Sequence, residues 1–283
     1  MTRFASDLYQ GTADYYDRYR LPYPAAMLSD LVARTRLSGH GRLLDLACGT
    51  GQLAFPLSGH FDEVWAVDRE PDMIEAVRAK VETEAEAGGA GGAAVIPVVS
   101  DAENLDAAPD SFELAVIGNA FHRLERAEVA RRLLDWLAPG GHLALCWSTS
   151  PWVGEAAWQR SLADTLHRWQ QRLGAESRNP ASAAQDRQNL PDAEMLSASG
   201  FEVLGRHTFA VEHTWSLEDL LGHVRSTSFL PPLVLGDQAA AFDADLAASL
   251  RPHADGGGST AAADAPAFTE AVSCAYDLAR KPA

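Results

Sequence analysis

Leu43-Leu44-Asp45-Leu46-Ala47-Cys48-Gly49-Thr50-Gly51 is the stretch that decides the fold. Its apolar start reads as a strand, Leu43 to Ala47, buried on both faces of a parallel sheet. Small residues at 47, 49 and 51 then let the backbone turn sharply and approach a ligand, with its amides exposed. Asp45 stands before the turn, and the dinucleotide fingerprint Gly-x-Gly-x-x-Gly is absent. A pyrophosphate bound here would meet a like charge, which argues against a dinucleotide.

Outward from the loop, short apolar runs recur at Val64 to Val67, Ala94 to Val99, Phe112 to Gly118 and His142 to Trp147, with helix-like segments between them. Pro71 suits a first helical position, after which Met73, Ile74 and Val77 form one apolar stripe. Pro24 opens another helix, with Met27, Leu28, Leu31 and Val32 facing a core, and Pro56 predicts a short or bent helix after the loop. Alternating strands and helices imply an α/β fold, doubly wound on a mainly parallel sheet. Its ligand crevice lies beyond the C-terminal strand ends where the strand order reverses.

After Trp147 the pattern changes: Trp158, Leu162, Leu166 and Trp169 suggest helices, and Arg178 to Gln188 is a polar stretch expected to be mobile. Phe201 to Trp215 alternates as a long strand, Ser216-Leu217-Glu218-Asp219 reads as a helix cap, and the last of seven strands falls within Ala267 to Leu278. Glycine-rich loops are expected at 87–92 and 255–259. The partition is one domain: a cap and first helix at 1–36, a ligand-binding core at 37–150, a helical lid at 151–195, and 196–283 completing the sheet.

A formal net charge of -16 disfavours phosphate backbones and anionic membranes as partners. Cys48, Cys146 and Cys274 are too scattered for a disulfide framework or zinc site, no metal is expected, and the start of the chain has no apolar signal core. The expectation is a cytoplasmic monomer or homodimer.

The loop resembles the first motif of class I S-adenosylmethionine-dependent methyltransferases, acid-x-small-x-Gly-x-Gly, with Ala47 replacing the usual glycine. The resemblance continues at Ala66-Val67-Asp68, at Ser100-Asp101-Ala102-Glu103, along Phe112 to His122, and at Leu137-Ala138-Pro139-Gly140-Gly141-His142-Leu143. It implies a Rossmann-like sheet, S-adenosylmethionine as methyl donor and S-adenosylhomocysteine as product. It implies donor contacts from Asp45, Ala47, Cys48, Gly49 and Gly51 in the loop, and from Arg69, Met73 and Asn119 at neighbouring strand ends. Asp68 would hold the ribose hydroxyls, and the Asp101-Ala102-Glu103 turn the adenine. Tyr15-Tyr16-Asp17-Arg18-Tyr19-Arg20-Leu21-Pro22-Tyr23-Pro24 resembles the N-terminal cap of small-molecule members related to the ubiquinone-biosynthesis type. That implies Tyr16 beside the donor and Arg20 on its methionine carboxylate, an ion pair of Arg20 with Asp14 or Asp17 being the alternative.

The acceptor is then a small molecule of secondary-metabolite or cofactor biosynthesis, and its accepting atom O, N or C. Tyr15, Tyr23, His122, Trp147 and Trp152 are the substrate-facing candidates, the tryptophans suiting an aromatic ring. Should the acceptor have to lose a proton, His122 is the first candidate base, with Tyr23 and Glu155 as further catalytic candidates. Three other readings stand: an NAD-dependent oxidoreductase using the same strand-end acid, a non-catalytic nucleoside-binding module, and methylation of protein or nucleic acid.

Overall fold

The computed structural model describes residues 7–86, 93–178, 187–254 and 267–283. β1 (Arg42–Leu46) buries Leu43, Leu44 and Leu46 completely or nearly so, because it lies mid-sheet with helices on both faces. It pairs in parallel with β2 (Glu63–Asp68) on one side and β4 (Phe112–Gly118) on the other. With β3 (Ala94–Val99), β5 (Leu137–Ser148), β6 (Glu202–Ser216) and β7 (Ala267–Arg280), the order is β3-β2-β1-β4-β5-β7-β6. Only β7 runs antiparallel to its neighbours, β5 and β6. The chain leaves β1 toward β2 and returns on its other side as β4, so the crevice opens beyond the C-terminal ends of β1 and β4.

β5 starts five residues earlier than the apolar pattern implies. Leu137 pairs with Phe112 before a register shift, and Gly140 at φ 76° supplies the left-handed conformation that lets the strand resume at His142. On one face of the sheet, α2 (Ala25–Thr35), α3 (Ala54–Ser58) and α4 (Pro71–Glu86) deliver Met27, Leu31, Leu57, Ile74 and Val77 to the core. On the other, α5 (Arg126–Trp136) delivers Val129, Leu133 and Trp136. The expected short helix around Pro56 is α3.

A third core lies off the sheet. α6 (Ala157–Leu173) packs Trp158, Leu162, Leu166 and Trp169 against Leu220 and Val224 of α8 (Leu217–Arg225) and Phe242, Leu246 and Leu250 of α10 (Ala239–Leu250). α9 (Pro232–Leu235) adds Leu235, and Trp215 and Phe268, at the far ends of β6 and β7, complete it. The helical layer therefore draws on two segments, one between β5 and β6 and the other between β6 and β7. α7 (Asp192–Ala198), which the sequence put with the lid, sends Met195 and Leu196 into the sheet core beside α5.

Arg178 departs from the mobile segment expected there. Its guanidinium donates to the carbonyls of Ser228, Asp7 and Leu8 at 2.7, 3.0 and 3.2 Å, tying the N-terminal segment to the helical layer. The glycine-rich stretches at 87–92 and 255–259 lie outside the described residues, as does most of 178–188.

Candidate active site

The loop after β1 owes its shape to three left-handed residues, Ala47 (φ 58°), Gly49 (φ 54°) and Gly51 (φ 86°). Ala47 adopts a conformation that costs a side-chain-bearing residue free energy, so the surrounding structure holds it there. At Gly49 a Cβ would lie 3.0 Å from Tyr16 Cε1, and at Gly51 2.6 Å from Phe55 Cε2, so both positions require close approach.

Asp45 braces this loop from inside. Its Oδ2 accepts from the Ala54 amide at 2.8 Å, where α3 begins, and burial raises its carboxyl to about 7. Among the described residues it is not one of those lining the strand-end cavity, and its carboxylate caps the start of α3. Cys48 likewise turns into the core, where burial pushes its thiol well up. Gly51 is a turn residue beneath the loop rather than a wall of the cavity.

At the end of β2, Asp68 accepts from the Gly49 amide through Oδ2 at 2.8 Å and from the Glu70 amide through Oδ1 at 3.0 Å. Burial raises its carboxyl, and its backbone hydrogen bonds oppose that rise. Asp68 is one wall of a cavity at the strand ends. Tyr16, Ala47, Gly49, Arg69 and Met73 line it, as do Asp101, Ala102, Glu103 and Asn119. Arg69 Nε and Asp101 Oδ1, 3.3 Å apart, close one side. The sequence reading missed Leu8, Tyr9, Glu70 and Arg123, which also line it. Tyr9 sets its ring edge-on to Tyr16, 6.3 Å between centroids, and Arg123 lies over Tyr9 at 5.3 Å. Tyr9 is the first of the N-terminal tyrosines, and that clustering was the available signal.

A second cavity adjoins the first, and Tyr9, Tyr16, Asn119 and Arg123 line both. Arg20, His122, Trp147 and Trp152 line only the second. Arg20 makes neither expected ion pair; it donates to Ser226 Oγ and O at 2.8 and 3.1 Å and lies over the Tyr16 ring at 4.9 Å. Burial pushes the Tyr16 hydroxyl up to about 12. Asn119, itself at φ 51°, is pinned by reciprocal bonds with Ser148 at 2.9 and 3.0 Å.

Three expected side chains are elsewhere. Tyr23 is buried in the core with its hydroxyl against Gly118 and lines neither cavity. Tyr15 stacks on Tyr19 at 6.1 Å on the outer side of α1 (Ala13–Tyr19), facing α8. Glu155 is exposed ahead of α6, its carbonyl accepting from Arg160. A strand-end or cap position does not fix side-chain direction: packing turned the two tyrosines away, and Glu155 faces solvent.

His122 lies in a short turn after β4, its Nδ1 buried with no hydrogen-bond partner among the described residues. Burial first, then Arg123, Arg187 and Arg126, hold its imidazole down to about 3. His223, unmarked by the sequence, also lines the second cavity. Its Nδ1 is 3.1 Å from the Tyr19 carbonyl and must donate to it, leaving the buried Nε2 as an unpartnered acceptor between Trp152 and Trp215. Burial lowers this imidazole to about 3 as well. No cluster of three or more metal-ligating side chains occurs among the described residues.

A seven-stranded sheet with one antiparallel strand, a glycine loop at its switch point and acids at successive strand ends defines the class I methyltransferase architecture. Residues 43–141 match the methyltransferase domain family. An uncharacterized methyltransferase of Mycobacterium tuberculosis is 27% identical over 153 residues, 54% of this chain and 56% of that protein. The match thus spans about half the length of such curated relatives. Among solved structures, one from Bacillus halodurans assigned to the methyltransferases covers 92% of this chain and 100% of its own, at TM-score 0.54 and 19% identity. The cyclase SpnF covers 100% and 97%, at TM-score 0.53 and 17% identity. These structural likenesses speak for the fold. No helix among the described residues is long and apolar enough to cross a membrane.

Proposed function

We propose that this protein transfers a methyl group from S-adenosylmethionine to a small acceptor carrying an aromatic ring. The observation that carries this reading is the pair of adjoining cavities, one at the strand ends and one under the helical layer, meeting at Tyr16, Asn119 and Arg123. A donor in the first and an acceptor in the second would face each other across that junction.

The residues of the first cavity fit the donor. Each Asp68 oxygen already accepts one amide and keeps lone pairs for the two hydroxyls of a ribose. Asp101 can exchange its pairing with Arg69 for an exocyclic amine. When bound, S-adenosylmethionine supplies a methyl already activated on positively charged sulfur. The chain's part is then alignment and exclusion of water, and positioning of this kind contributes on the order of 7 to 11 kcal/mol in well-oriented systems. Trp147, Trp152 and Phe229 offer ring faces to an aromatic acceptor, and the helical layer covers it. A small-molecule acceptor of secondary-metabolite or cofactor biosynthesis fits the second cavity.

Isothermal titration with S-adenosylhomocysteine tests the reading. The wild type should bind, and Asp68→Ala should weaken binding on the order of 100-fold, since it removes charge-assisted bonds to both ligand and loop. Absence of binding to the wild type would overturn the proposal.

A further inference from the structure

α8 meets α1 at a point of close approach. A Cβ on Gly222 would lie 2.3 Å from the Tyr19 ring, so only a residue without a side chain lets the two helices touch there. That contact brings the next residue, His223, within reach of the last carbonyl of α1, a group that a helix end leaves without an internal partner. His223 Nδ1 is 3.1 Å from the Tyr19 carbonyl oxygen. A carbonyl cannot donate, so the ring hydrogen sits on Nδ1 and Nε2 carries a lone pair.

Capping α1 accounts for one edge of this ring only. Nε2 is buried without a hydrogen-bond partner, and an acceptor left in that state costs free energy that a bound donor restores. Among the described residues His223 lines the second cavity and Tyr19 does not, so the edge turned away from Tyr19 is the one left to the cavity. Trp152 and Trp215 flank the imidazole at 5.5 and 5.0 Å between centroids, and Phe229 meets Trp152 edge to face at 5.3 Å. Trp215 commits its own indole N–H to Glu270 Oε1 at 2.7 Å and does not supply the missing donor. Burial keeps the imidazole neutral near pH 7, so Nε2 stays an acceptor.

One lone pair in an aromatic surround matches one neutral donor. An ammonium group would bring three N–H bonds to a single acceptor, and a carboxylate would bring none. Building on the methyl-transfer reading above, we infer that the acceptor's aromatic ring carries a neutral group with one hydrogen to donate, a phenolic hydroxyl or a ring N–H, and that His223 Nε2 accepts it. His223 is then a specificity residue, which selects and orients the ring. It lines the second cavity and not the first, so the group it holds anchors the ring away from the junction that the methyl group has to cross.

The test uses the full chain saturated with S-adenosylhomocysteine, so that donor binding is verified first and a failure there is read separately. Phenol is then titrated against anisole, and indole against 1-methylindole, each pair differing in the hydrogen that can be donated. At least one donor should bind about fivefold or more tighter than its methylated counterpart. His223→Phe keeps a ring at the position and should abolish that preference. Side-chain nitrogen NMR of the wild type gives a readout that needs no variant, should His223→Phe not fold. Nε2 should be unprotonated in the free protein, and its resonance should move with the preferred donor but not with its counterpart. Equal binding within both pairs, a proton on Nε2, a preference that survives His223→Phe, or an Nε2 resonance indifferent to the preferred donor would overturn the inference.

Discussion

The two cavities are built by different means. The first is made by backbone: a turn of left-handed residues after β1, amides held by Asp68, and acids within two residues of the ends of β2 and β3. The second is made by side chains from segments far apart in sequence, from Tyr9 through Trp147 and Arg187 to Phe229, brought together by a helical layer with its own hydrophobic core. A backbone cradle recognises what every member of a class shares. A side-chain chamber recognises what one member alone needs, and changing it leaves the cradle intact.

The largest test of that separation is Phe242→Ala. Phe242 is fully buried in the helical layer, edge-on to Trp169 at 5.5 Å, and its removal should cost about 3 to 5 kcal/mol in chemical denaturation. Binding of S-adenosylhomocysteine at low denaturant should nevertheless stay within about twofold of wild type if the cradle stands apart. A parallel loss of donor affinity would join the two regions into one cooperative unit.

A smaller effect probes the cradle. The Asp45 carboxyl is raised from 3.8 to about 7 by burial, so the folded state keeps a proton that the unfolded chain releases. Stability from this group is therefore present at low pH and is lost as pH rises through that window. Asn at position 45 can still accept from Ala54 without burying a charge. Asp45→Asn should accordingly melt several degrees above wild type near pH 8, a gain on the order of 2 kcal/mol, with the gap closing toward about pH 4. Glu70, raised by burial to about 7, adds a wild-type slope of the same sign that the substitution leaves in place. A gap independent of pH would place the effect in loop packing instead of ionisation.

The same contrast explains what could be read beforehand. The places of Ala47, Gly49, Asp68 and Asp101 on the cavity wall were legible because each follows from a strand end and the few residues after it. Asp45 shows the limit of that reading: the acid belongs to the motif, yet its carboxylate caps α3 from within the core. Tyr23 and Glu155 show another limit, for a place in the N-terminal cap suggested an aromatic wall and a place in the lid a base, but direction was set by contacts with Gly118 in one case and by solvent in the other. His223 and Phe229 left no local signal at all. They enter the site only because the segment between β6 and β7 folds onto α6, a pairing that no short-range pattern encodes.

Ser216 lies where the two regions join and supplies the smallest test. β6 leaves the sheet at this residue and α8 begins, and the expected cap is present: Ser216 Oγ accepts from the Asp219 amide at 3.0 Å, while the Asp219 carboxylate accepts from the Ser216 amide at 3.1 Å. Ser216→Ala should cost about 1 kcal/mol, the usual worth of an N-terminal cap. If the helical layer opens separately from the sheet, amide exchange should quicken in α8 and α10 while β1 and β4 keep their protection. If the whole chain opens together, every slowly exchanging amide should lose the same 1 kcal/mol or so, because a cap lost in one layer then destabilises both. The substitution is small enough to leave the native structure in place, so the pattern of protection, more than its size, decides whether the second cavity is free to open over a cradle that stays closed.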